Sequence, residues 1–159
     1  MTKRSRPLLI CLLILSLLLP YTAIYATSSD TFTLDEVTLL NDIKNIQSEM
    51  ALAAQSAYAN KITGKSTKAQ SKILETVATQ IDFLSSALQP YENVQDLTLE
   101  QSNTLLTLFN IINFLKFMQQ DLSKYINATD NYTAYQLLVA YVKTDSFLSQ
   151  VLVDYEYIQ

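Results

Sequence analysis

The sequence predicts an all-α protein, an antiparallel up-down-up-down bundle of four long helices. Three observations carry that expectation. Beyond residue 26 the chain holds one glycine, Gly64, and one proline, Pro90, which leaves little material for turns. Apolar residues recur at alternating spacings of three and four, the pattern of a helix that buries one face. Capping patterns stand at the starts of those stretches, so local and global signals agree.

The first helix is expected from about Leu34 to Asn60. Thr33 and Glu36 have the spacing of a capping box, in which each side chain bonds the other's free backbone N–H. Leu39, Ile43, Ile46, Met50, Ala53 and Ala57 form its seam, and Gly64 sits where a C-terminal cap belongs. The second runs from about Lys68 to Leu88, opened by Thr67 and Gln70, with Leu74, Val77, Ile81, Leu84 and Leu88 on its seam and Pro90 as its stop. The third, about Leu99 to Ile126, opens with Thr98 and Gln101. The fourth, about Asn131 to Tyr155, follows Asp130, a suitable N-cap. Its apolar face reads Tyr135, Leu138, Tyr141, Val142, Leu148, Leu152 and Tyr155, interrupted by Asp145. Helices of roughly 22–28 residues are about 33–42 Å long, and short connections between them favour antiparallel neighbours.

Ahead of these helices, residues 1–26 have the form of a secretory signal peptide. Lys3, Arg4 and Arg6 precede an apolar run from Pro7 to Leu19, and Ala26 offers a small residue at the cut. The alternative is an uncleaved anchor helix, which reaches a membrane-spanning length only by including Pro20, Tyr21 and Thr22. Cleavage after Ala26 leaves a polar, flexible segment at 27–32 and a single bundle domain at 33–159, placed in the periplasm or outside the cell. No membrane span is then expected to remain.

Removing the leader takes away three of the 11 basic residues and none of the 15 acids, so eight lysines remain and the formal charge is −7. An acidic chain without arginine gives a phosphate backbone no electrostatic footing, and nucleic acid is not an expected partner. The chain has no His, and its one Cys, Cys11, lies in the leader. Zinc fingers, di-iron sites, disulfide scaffolds and His-based triads all need residues that are absent. No cofactor and no enzymatic activity are expected. Gly64-Lys65-Ser66 resembles the end of a phosphate-binding loop, but Ala59 stands where the motif needs glycine, and a helix rather than a strand precedes it.

Two clusters remain as candidate sites. Lys61, Lys65, Lys68 and Lys72 surround the start of the second helix, where free backbone N–H groups already favour anions. The third helix is apolar over most of its circumference between Leu105 and Met118, more than one bundle face requires. It is expected either to lie at the centre of the bundle, to present phenylalanines to a partner, or to line a ligand pocket. With the late tyrosines, Phe109, Phe114, Phe117, Tyr132 and Tyr157 make a candidate contact surface. The expected function is therefore protein–protein contact or self-association. The alternative is a carrier or sensor for an apolar small molecule held between the helices, lined by Leu105, Leu108, Ile112 and Leu115. Asn127 and Asn131 begin N-glycosylation sequons, which matter only in a host that glycosylates.

Overall fold

Four helices form where the apolar periodicity and the turn residues direct. They are α1 (Glu36–Ile62), α2 (Lys68–Leu88), α3 (Leu99–Asn127) and α4 (Asn131–Ile158), with a short 3₁₀ turn at Gln89–Tyr91. The structure, a computed structural model, describes residues 34–158. The expected leader at 1–26, the segment at 27–32 and the capping role of Thr33 lie outside the described residues. The architecture is an antiparallel four-helix bundle, and the described residues contain no strand.

The punctuation of the chain has clear local causes. Gly64 adopts φ +67°, and its N–H donates to the Lys61 carbonyl at 3.2 Å while the Lys65 N–H donates to the Asn60 carbonyl at 2.8 Å. That pair of bonds closes a Schellman motif and satisfies the last carbonyls of α1. Pro90 lies in the 3₁₀ turn directly after α2, because proline has no N–H with which to continue the helix. Thr98 and Gln101 form the expected capping box at the start of α3, with bonds of 3.1 and 2.9 Å. Asp130 accepts the Thr133 N–H at 2.8 Å and caps α4.

Two helix starts differ from expectation. At α1 the capping residue is Asp35, whose carboxylate accepts from the Thr38 N–H at 3.1 Å and from the Thr38 hydroxyl at 2.7 Å. Glu36 is engaged across the bundle instead, accepting from the Tyr155 hydroxyl at 2.6 Å. At α2 the Thr67–Gln70 box does not form. Gln70 is buried, donating to Ser56 Oγ at 2.7 Å and accepting from Asn60 Nδ2 at 3.3 Å. A buried amide gains more from pairing between helices than from an exposed cap.

The core is the sum of the four seams. Every seam residue expected on α1 and α2 is buried, from Leu39 to Ala57 and from Leu74 to Leu88. Along α1 the seam changes from Leu, Ile and Met to Ala53, Ala54 and Ala57, so this end of the helix admits larger side chains from its neighbours. The third helix supplies Leu105, Leu108, Ile111, Ile112, Leu115, Met118, Leu122, Tyr125 and Ile126 to the core. It packs against α2 and α4 and also reaches α1 across the diagonal, which accounts for its broad apolar surface. On α4 the buried residues are Tyr141, Leu148, Leu152 and Tyr155, while Tyr135 and Val142, expected on the same face, are exposed. Val142 lines the edge of a groove between α1 and α4 together with Asp145.

Helices α1 and α4 are joined by long polar side chains rather than by close backbone approach. Gln47 Nε2 donates to Asp145 Oδ1 at 2.7 Å and to Ser149 Oγ at 2.8 Å. Lys44 pairs with Glu156 at the same seam.

Candidate functional site

The residues singled out in the sequence do not gather at one place. Phe109 and Phe114 are half-buried against the core, and Phe114 meets Phe147 of α4 edge-on, with ring centroids 5.0 Å apart at 75°. Phe117 is exposed. Tyr132 and Tyr157 are exposed as well, but they occupy the first and last turns of α4, roughly 37 Å apart along a helix rising 1.5 Å per residue. The five aromatics therefore do not make one surface. Leu105, Leu108, Ile112 and Leu115 all lie in the packed core, each 5 % exposed or less.

The lysine cluster is divided in a similar way. Lys61 extends from the last turn of α1 to the turn after α3, where its ammonium donates to the Ala128 carbonyl at 2.8 Å. It also lies 5.2 Å from the centroid of the Tyr125 ring. Lys65, Lys68 and Lys72 are exposed and form no ion pair among the described residues. Asn127 and Asn131 are exposed on either side of the α3–α4 turn, and Asn127 Nδ2 donates to the Ser123 carbonyl at 2.9 Å.

Two interhelical grooves emerge instead. The first, about 660 Å³, runs between α1 and α2. Buried Ile46 and Leu84 lie at its base, and Leu52 and Phe83, 67 % and 71 % exposed, supply one large apolar side chain from each helix. Asp42 and Glu49, both half-buried, stand along the α1 side, and no basic residue among the described residues lines the groove. Gln80 contributes a buried carbonyl oxygen, Oε1, with no hydrogen-bond partner. The groove offers apolar area and two carboxylates, with the hydroxyls of Ser48, Thr76 and Thr79 along its walls.

The second groove, about 340 Å³, lies between α1 and α4 and is lined by Ala51, Ala54, Tyr58, Leu138, Tyr141 and Asp145, among others. It opens because the small alanines of α1 leave space beside α4. The Tyr141 hydroxyl is buried there without a hydrogen-bond partner. Burial, and secondarily the nearby Asp145 carboxylate, push the Tyr141 phenol well above the usual tyrosine range. Burial raises Tyr125 too, with a smaller contribution from Tyr58. The capping carboxylates shift the other way: the Thr38 N–H and hydroxyl lower Asp35, and those of Thr133 lower Asp130.

Sequence reasoning missed the first groove because its two apolar residues are 31 positions apart on different helices. One signal was present. Leu52 and Phe83 are large apolar residues that fall off the seam of their own helix, beside Ala53 and Leu84 respectively. No cluster of His, Cys, Asp and Glu suited to a metal ion occurs among the described residues, and no helix among them is long and apolar enough to cross a membrane. Compared with protein-family models, with curated proteins and with solved structures, the chain matches none.

Proposed function

We propose that this protein is an exported, non-enzymatic helical bundle that works by contact with another polypeptide. The observation that carries this reading is the α1–α2 groove, with Leu52 and Phe83 exposed over an apolar base and a polar rim. Leaving two large apolar side chains largely in water along one groove forgoes up to roughly 1.5–3 kcal/mol of burial for each. An apolar-based groove with a polar rim is a form that binding sites take. The leader pattern of residues 1–26 supports export, and the absence of His supports a binding role over a catalytic one.

Site-specific photocrosslinking in the host tests the reading. A crosslinker in place of Leu52 or Phe83 is expected to yield discrete adducts with a polypeptide, while one at exposed Tyr157 does not. Absence of adducts at the groove positions, or equal adducts at Tyr157, would overturn it. Recovery of a chain beginning at Thr27 checks the export half.

A second reading rests on the α1–α4 groove. Its orphaned Tyr141 hydroxyl and apolar lining suit a small apolar molecule that carries one hydrogen-bond acceptor. Native mass spectrometry of protein from its host would reveal such a ligand as a fixed added mass, lost in Tyr141→Phe.

A further inference from the structure

We infer that the α1–α2 groove receives a basic amphipathic helix from a partner protein. Its apolar residues would sit between Leu52 and Phe83, and its lysines or arginines would face Asp42 and Glu49. The inference rests on the protein-contact reading and adds the chemistry of the partner.

Length and shape argue for a helix. The α1 wall runs from Asp42 to Leu52, roughly 15 Å or about three turns, and the α2 wall from Thr76 to Leu84 is nearly as long. Two antiparallel helices with a channel of that length between them accept a third helix through apolar anchors spaced i, i+3 or i+4, and i+7.

Polarity argues for a basic one. Asp42 and Glu49 are seven residues apart, so they project from the same side of α1 about two turns from each other. Cations at i and i+7 on a docked helix match that spacing. Among the described residues no lysine lines the groove to neutralise the two acids. A second copy docked groove against groove is a poorer occupant, because its groove brings two further carboxylates and no lining cation among the described residues.

The test titrates the mature protein, purified from its host, with three synthetic 18-residue helical peptides sharing one apolar face. The first carries lysines at i and i+7 beside that face, the second carries glutamates there, and the third is a scramble of the first. Saturable binding is expected for the lysine peptide alone. It should weaken about tenfold in the double variant Asp42→Asn, Glu49→Gln, and be lost in Phe83→Ser, whose exposed position leaves the core intact. Failure of the lysine peptide to bind overturns the inference, as does equal binding of the glutamate or scrambled peptide. A dimer crosslinked to itself through Leu52 also overturns it. Each of these results leaves the broader contact reading standing if Leu52 and Phe83 still capture a polypeptide. The absence of any adduct at those positions would instead remove the broader reading.

Discussion

The Lys61 ammonium and the Ala128 carbonyl, 67 positions apart in the chain, meet at 2.8 Å and tie the end of α1 to the turn between α3 and α4. The Tyr125 ring beneath the same ammonium adds a cation–π contact. Lys61 is thus the structural member of a lysine cluster whose other members remain in solvent. Replacing it with Ala is expected to cost about 1–2 kcal/mol, from a charge-assisted hydrogen bond and a partly exposed cation–π pair. Lys65→Ala should change stability by less than about 0.5 kcal/mol. Urea unfolding of the two variants decides the point, and equal losses would show that Lys61 has no special role.

Two threonines at helix starts provide a second comparison. Thr98 is hydrogen-bonded to the Gln101 N–H within a complete capping box, whereas Thr67 makes no side-chain capping bond. Thr98→Ala is expected to lower stability by about 1 kcal/mol. Thr67→Ala should be close to neutral. Thermal unfolding monitored by circular dichroism separates them, and a costly Thr67→Ala would mean that the cap forms in solution.

Tyr141 gives a pH dependence. Its folded-state pKa is raised, so the folded protein holds the phenolic proton more tightly than the unfolded chain does. The corresponding stability is fully present below the unfolded value of about 10 and is lost as pH climbs toward the higher folded value. Tyr141→Phe removes a buried hydroxyl that lacks a partner, and is expected to raise stability by about 1 kcal/mol near neutral pH. It should also flatten the decline above about pH 10. Urea midpoints at neutral and alkaline pH check both effects, and a less stable variant would show that the hydroxyl is paired in solution.

The fold was legible where one physical signal acted alone. Helix α2 begins at Lys68 and ends at Leu88, as its aliphatic seam and Pro90 direct. Legibility failed where polar groups had a choice of partner. Gln70 has the position of a capping residue but is drawn inward by Ser56 and Asn60, which lie on another helix and cannot be placed from spacing. Asp145 interrupts the apolar face of α4 in the sequence, yet it turns to α1 and bonds Gln47, while Tyr135 and Val142 of that face are exposed. The candidate site was the least legible part. Leu52 and Phe83 each look like an isolated surface apolar residue until two helices bring them to one groove.

The amide of Gln47 has a bearing on how α4 settles against α1. Apolar burial is non-directional, so by itself it defines the position of one helix along another, in steps of a turn of about 5.4 Å, less sharply than a hydrogen bond does. Gln47 does not tolerate a slip of one turn. It lies between Asp145 and Ser149, themselves one turn apart, and bonds both; a shift in either direction would break one of the pair. Like a lone polar residue in the seam of a coiled coil, it selects a single register from several of similar oiliness. The groove beside it, from Ala51 to Tyr58, then keeps one set of facing residues instead of a sliding series.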